Sequence, residues 1–170
     1  EPSTLTVENS QGVDVLIHET FNPPETYVEK LQWTEMQAKL VAWTMHTAPE
    51  AAAMVFEAAK PRLAVSYHGM VAPGTPQPLF DRMRTGYSGP FVMAQDFTVI
   101  NVTPQQIVSR MVAFEPAPFL VSDPEYTAAK GGANQDPSKM HGMSRWLEDT
   151  VISVPEIEAF KKELAAKGMR

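Results

Sequence analysis

The sequence contains no cysteine among its 170 residues. Disulfide bonds, thiolate nucleophiles and cysteine-bound zinc are therefore excluded. Any strongly held metal ion has to be bound by histidine and carboxylate side chains, and the chain has 4 histidines and 20 acidic residues. The absence of cysteine leaves the compartment open, so a cytoplasmic and a periplasmic location are both allowed.

Long apolar runs and a surplus of positive charge are also missing. No stretch approaches the roughly 20 consecutive apolar residues of a transmembrane helix, and the start Glu1-Pro2-Ser3-Thr4 has no basic or apolar targeting character. Lys and Arg number 14 against 20 Asp and Glu, giving a net charge of −6, whereas holding a nucleic acid backbone requires clustered basic side chains. We therefore expect no membrane partner and no broad nucleic-acid interface.

The chain does have the composition of a globular protein, with 44% hydrophobic and 20% charged residues and enough length to bury a sizeable core. The composition changes after Glu115, since residues 116–139 are rich in Pro, Gly, Asp, Ser and Ala, which is typical of a linker or a wrapping arm. We predict a globular unit over residues 1–115. Residues 116–170 are predicted to form an extended arm and a terminal helix that pack on the same molecule or in a homodimer.

The pattern of apolar residues predicts an α/β fold. Apolar and β-branched runs predict strands over residues 13–17 and 62–67. An apolar stripe predicts one helix over residues 24–44, and an alanine-rich stretch predicts a second helix that ends before Pro61. Because Thr47-Ala48-Pro49-Glu50 has the form of a capping box, Thr47 is the predicted N-cap of the second helix.

The rest of the chain is predicted to be less regular. Residues 69–89 are expected to form a long loop with a short helix over Leu79 to Arg84. The remaining predicted elements are two antiparallel strands over 91–94 and 97–102, a strand over 107–114, a short helix over 144–149, and a terminal helix from Pro155 to about Lys167.

Three titratable side chains stand at the ends of these predicted elements. Glu19 follows the first strand, His46 precedes the alanine-rich helix, and His68 follows the next strand. The carboxyl ends of parallel strands form the edge at which open α/β sheets bind ligands. We therefore expect Glu19, His46 and His68 to converge at one edge of the sheet.

The order of these motifs resembles the second half of the metallo-β-lactamase-fold hydrolases, in the branch of tRNase Z, arylsulfatase-like and phosphodiesterase-like enzymes. Ile17-His18-Glu19-Thr20-Phe21 looks like the Leu-Ile-His-Glu-Ala-Thr-Phe strand of that branch without its Ala. His46-Thr47-Ala48 occupies the place of its His-Ser-Thr motif, and Ser66-Tyr67-His68 occupies that of a strand ending in Thr-His or Ser-His. The likeness covers residues 1–102.

The resemblance implies half of an αββα metallo-β-lactamase-type sandwich with a C-terminal extension. It also implies a hydrolase of ester-type substrates, phosphodiester or sulfate ester first and a lactone next, which uses a metal-bound hydroxide. The cofactors would be two divalent metal ions, zinc first, with manganese or iron as alternatives. His68 would be a metal ligand, and His46 would be the catalytic acid, oriented by Glu19.

The main metal-binding signature of that family is missing from the sequence. Neither a His-x-His-x-Asp-His stretch nor the Asp of a Gly-Asp-Thr turn is present. The resemblance therefore implies that most metal ligands lie outside this chain, in an N-terminal half of the same fold, and that this chain alone is inactive. The same absence favours, as an alternative, a catalytically silent scaffold or a partner-binding protein. A tRNA-processing role is less favoured because the chain is acidic.

Each candidate residue also has a plainer interpretation. His68 could be a loop histidine that is hydrogen-bonded to the backbone, His46 could make local bonds at a helix start, and Glu19 could be a surface carboxylate. His18 is expected to pack within the sheet and not to bind a metal.

Overall fold

The computed structural model describes residues 2–112 and 154–168, in which helices alternate with parallel and antiparallel strands. The helices are α1 (Thr4–Asn9), α2 (Pro24–Leu31), α3 (Glu35–Leu40), α4 (Pro49–Ala59), α5 (Pro76–Arg84) and α6 (Pro155–Ala166), and a π-helical turn (Val41–Met45) follows α3. The strands are β1 (Val15–Glu19), β2 (Leu63–Tyr67), β3 (Phe91–Met93), β4 (Thr98–Val102) and β5 (Ile107–Met111). The predicted α/β class is confirmed. In these two ranges, no helix has the length and apolar character that crossing a membrane requires.

The first three strands form a parallel sheet in the order β1-β2-β3. Strand β1 begins and ends two residues later than predicted, because its pairing with β2 continues until Glu19 lies opposite Tyr67. The strand therefore includes Glu19 itself, which fixes the backbone of this side chain within the sheet.

The predicted antiparallel pairing of residues 91–94 with 97–102 is wrong. Strand β3 adds to β2 in parallel, and β4 pairs with β5 in a separate antiparallel hairpin. A tight turn separates β3 from β4. In this turn the Gln95 N–H donates to the Thr98 hydroxyl, and Phe97 adopts a φ of 67°. This turn redirects the chain before β4 begins.

One face of the parallel sheet carries the main core. Leu16, Ala64 and Phe91 lie in one row across the three strands and pack on α4 and on the segment around α5, through Ala52, Ala53, Val55, Phe56, Ala59, Met83 and Tyr87. Alternation along the strands places Ile17 on the opposite face, in a row with Val65 and Val92. None of these three side chains belongs to a core cluster of the described residues. Val65 on the central strand is nevertheless fully buried, whereas Ile17 is 59% exposed.

The single helix predicted over residues 24–44 is broken into three pieces. Gln32 ends α2 in the left-handed conformation with φ of 55°, which the apolar stripe does not reveal. Thr34 then begins α3 with a capping box that it forms with Gln37. The π-helical turn follows and ends at His46, whose backbone is extended.

The predicted N-cap of α4 is also wrong. Ala48 occupies that position without a side-chain hydrogen bond, and Pro49 begins the helix. Glu50 does not reach back to Thr47, because it accepts a hydrogen bond of 2.6 Å from Arg82 of α5. The Thr47 carbonyl instead accepts from the Phe21 N–H at 2.8 Å, so the segment before α4 is bonded to the segment after β1. The helix ends at Ala59, as predicted.

The predicted terminal helix is confirmed as α6, and it packs on the same molecule. Val154 and Ile157 contact Ala48 and Ala51, and the Phe160 ring meets the edge of Trp43 at 5.6 Å between centroids. Residues 113–153, which include most of the predicted arm and the short helix over 144–149, lie outside the described residues. The homodimer stays a prediction.

Shortening Phe56 to alanine is expected to destabilise the protein by about 3–5 kcal/mol, because a cavity would replace a ring at the centre of the core. Phe56 is fully buried and contacts the rings of His18, Tyr87 and Phe91. Denaturant unfolding would measure the change. Met54→Ala on the same helix is the control, since Met54 is 42% exposed, and it should cost less than about 1 kcal/mol. Equal losses in the two variants would contradict this account of the core.

Candidate functional site

Glu19, His46 and His68 converge at the carboxyl ends of β1 and β2. One ligand atom from each side chain lies within 4.8 Å of the other two, and the two imidazole centroids are 5.1 Å apart. Glu19 and His46 are partly buried, whereas His68 is exposed. The structure therefore brings together the three residues that the sequence placed at one edge. Their individual roles stay predictions.

Glu19 and His46 form a hydrogen-bonded pair. The His46 Nδ1–H donates to Oε1 of Glu19, and because an ionised carboxylate only accepts hydrogen bonds, the proton on this side of the ring belongs to the histidine. Burial raises the pKa of Glu19, but the hydrogen bond from His46 and the charge of its imidazole outweigh burial and hold this pKa below its usual value. Glu19 is therefore ionised near neutral pH. Because Nδ1 of His46 is bonded to Glu19, the other ring nitrogen, Nε2, is the one that can exchange a proton with a ligand.

His68 reaches the site through an unusual backbone conformation. Its φ is 72°, in the left-handed region that non-glycine residues rarely adopt. The chain turns sharply there, and a Cβ at the next residue, Gly69, would come within 2.9 Å of Met93 Cε and 3.1 Å of Asn22 Oδ1. This close packing favours glycine after His68, and the turn places the exposed imidazole with its centroid 5.1 Å from that of His46.

The residues that leave β1 connect the site to the rest of the fold. The Thr20 N–H donates to the Tyr67 carbonyl at 3.0 Å, next to His68, and the Phe21 N–H donates to the Thr47 carbonyl, next to His46. The Asn22 side chain is fully buried. It accepts from the Met70 N–H and donates to the Thr75 carbonyl at 3.0 Å, so it holds the loop that follows His68.

A stack of aromatic rings supports His46. The Phe21 ring lies 4.1 Å from the His46 imidazole with only 4° between the ring planes. Tyr27 covers the Phe21 ring at 4.4 Å, and Trp33 stacks on Tyr27 at 5.2 Å. The sequence motifs contained Phe21, but nothing in the sequence indicated that its ring faces the histidine.

His18 lies apart from this cluster, as expected from the sequence. Its ring packs edge-on against Phe56 of the main core, and its Nδ1–H donates to the Glu19 carbonyl at 2.6 Å. Burial lowers the pKa of His18 and outweighs this hydrogen bond. His18 is therefore a neutral packing residue of the core face.

The donor set of the cluster suits a divalent cation. Two imidazoles and one carboxylate are ligands that zinc and iron accept, and among the described residues this is the one group of three such side chains close enough to share an ion. A centre with two ions needs more ligands than these three.

No protein-family model matches the chain, and no curated protein matches it in sequence.

Replacing Asn22 with alanine is expected to lower the free energy of unfolding by about 1–3 kcal/mol, because the Met70 N–H and the Thr75 carbonyl would lose their buried partner. Thermal or denaturant unfolding would measure the loss. Asn9→Ala is the matched control, since the Asn9 side chain bonds to the Leu5 carbonyl at the exposed end of α1. It should change stability by less than about 0.5 kcal/mol. An unchanged free energy of unfolding in Asn22→Ala would contradict the stabilising role of these two hydrogen bonds.

The lowered pKa of His18 predicts a loss of stability in mild acid. The unfolded chain binds this proton near the usual pKa of about 6.5, whereas the folded protein binds it only at lower pH. The unfolded state therefore gains protons first, and stability falls as the pH drops below about 6.5.

His18→Gln should remove this part of the pH dependence. Unfolding midpoints of both proteins between about pH 7.5 and 5.0 would test it, because all other titrating groups are shared. Parallel curves for the two proteins would contradict the prediction.

Proposed function

We propose that this chain supplies one metal ligand and the proton-transfer pair of a metal-dependent hydrolase. The substrates are esters, with a phosphodiester or sulfate ester first and a lactone next. The observation that supports this function is the hydrogen bond between His46 and Glu19 beside His68, in a cluster with ligand atoms within 4.8 Å.

His46 and Glu19 have the arrangement of a general acid and its orienting carboxylate. Glu19 accepts a hydrogen bond from the Nδ1–H of His46, which sets the tautomer of the ring. The protonated His46 then donates from Nε2 to the leaving-group oxygen of the substrate, and Glu19 stabilises the imidazolium before that transfer. The lowered pKa of Glu19 supports this role, because the carboxylate stays ionised while the histidine gains and loses a proton.

His68 is proposed to hold a divalent metal ion, with zinc first. When bound, two such ions supply Lewis-acid polarisation of the ester and a nucleophile derived from water. The exposed imidazole of His68, 5.1 Å from that of His46, would leave the acid next to the substrate. The remaining ligands are assigned to an N-terminal half of the same fold.

The incompletely covered second face of the sheet supports this half-sandwich. Among the described residues, helix α4 and the segment around α5 cover one face. On the other face, Ile17 and Tyr67 are 59% and 48% exposed, whereas Leu63 and Val65 are buried. Parallel sheets are nearly always covered on both faces. A second sheet layer, as in an αββα sandwich, is the proposed cover.

A catalytically silent scaffold or partner-binding protein is the second candidate. It is favoured by the small number of ligands, since the described residues provide one group of three and no separate second group. The two candidates differ in metal content, which is near two equivalents for the hydrolase and none for the scaffold.

The test is a set of variants of the intact natural protein loaded with Zn²⁺ or Mn²⁺ and assayed on a phosphodiester, a sulfate ester and a lactone. His68→Ala is expected to lower the metal content. His46→Gln should keep the metal and lower kcat by about 10²–10⁴-fold, the usual contribution of a general acid. His141→Gln, outside the three motifs, is the control.

Two results would overturn the proposal. One is the absence of hydrolysis of all three esters by the metal-loaded wild type. The other is an unchanged metal content in His68→Ala. No bound metal in the intact protein would favour the scaffold.

A further inference from the structure

We propose that Phe21 is a positioning residue that sets the plane of the His46 imidazole. In this plane Nδ1 meets Glu19, and the imidazole centroid lies 5.1 Å from that of His68. The geometric part of this inference stands without the proposed function, and its consequence for catalysis rests on that function.

The hydrogen bond to Glu19 does not fix the imidazole by itself. It restrains one ring atom, and the torsion that turns an imidazole about its bond to Cβ has broad minima. A ring face parallel to the imidazole at 4.1 Å and 4° removes this freedom, because any rotation would drive the imidazole edge into the Phe21 ring. The hydrogen bond and the stack together determine where Nε2 points.

Phe21 is itself firmly held. Its backbone N–H is bonded to the Thr47 carbonyl, one residue after His46, so the two stacked rings are joined through their backbones. Tyr27 covers its other face at 4.4 Å and 12°. Phe21 is only 8% exposed, so its ring has little room to move and restricts the rotation of the His46 imidazole.

The first test is spectroscopic and does not depend on activity. In the 170-residue chain, the His46 ring protons, assigned with His46→Gln, should show a marked upfield ring-current shift and nuclear Overhauser contacts to the Phe21 ring. Both measurements are made on the wild type, and a variant is used only for the assignment. Absence of the contacts and of the shift would overturn the proposal.

Three variants extend this test. Phe21→Leu keeps an apolar side chain but should abolish the ring-current shift of His46, and Phe21→Tyr should retain it. Phe80→Leu is the matched control, since Phe80 contacts Phe91 and no histidine, and it should leave the His46 signals unchanged. An unchanged His46 spectrum in a folded Phe21→Leu would contradict the proposal.

The second test measures catalysis in the intact, metal-loaded protein. Phe21→Leu is expected to lower kcat by up to about 10²-fold, the scale of a misplaced catalytic group, with KM and metal content unchanged. Phe21→Tyr, which keeps an aromatic ring, should have the wild-type kcat. A Phe21→Leu protein with wild-type kcat would overturn the role in catalysis.

The two proposals fail in different ways. An inactive wild type that keeps the ring-current shift would remove the proposed function and leave the positioning of His46 by Phe21 intact.

Discussion

The arrangement of the site depends on the hydrogen bonds of four consecutive residues, Glu19 at the end of β1 and the three residues that follow it. Each of them is tied to a different part of the chain: Glu19 to the His46 imidazole, Thr20 to the Tyr67 carbonyl, Phe21 to the Thr47 carbonyl, and Asn22 to the loop after His68. The two histidines come from segments that are distant in sequence and are not bonded to each other. They meet because both segments are held by the same short stretch. A shift of this stretch would move Glu19, His46 and His68 together, so the site behaves as one unit.

The surrounding helices stabilise this stretch through ion pairs and apolar packing. Arg82 of α5 binds Glu25 in the first turn of α2 and Glu50 in the first turn of α4. Partly exposed ion pairs contribute little stability, but this one joins the starts of the two helices that follow Phe21 and His46. From another side, α6 packs on Trp43 and on the first turn of α4. The fold thus fixes both ends of the segment that carries His46, while Gly69, the residue after His68, lies close to Asn22 and Thr20.

The sequence predicted the features that local patterns encode. Helix α4, strand β2 and helix α6 were found because apolar spacing and flanking prolines determine them within a few residues, and the three site residues were found because strand ends share one edge of a sheet. The misplaced elements depend on distant partners. The end of β1 is determined by its pairing with Tyr67, and β3 pairs with β2 in parallel. Glu50 does not cap α4 because it is bonded to Arg82. The roles of Phe21 and Asn22 were missed for the same reason, because the groups they contact lie about 25 to 50 positions away.

Under the proposed function, the orientation of Glu19 would link the docking of a second sheet layer to the completion of the site. Side chains alternate along β1, so Glu19 shares its face with Ile17 and not with Leu16, which is buried against α4. Tyr67, 48% exposed, lies beside it in register. The carboxylate of the cluster therefore stands at the end of the face on which Ile17 and Tyr67 are exposed. Under the proposed function, the layer that covers Ile17 and Tyr67 is the same layer that brings the remaining ligands to His68. Burial of the apolar face would then supply the free energy that assembles the metal centre, and the Glu19–His46 pair, already formed in this half, would need no rearrangement.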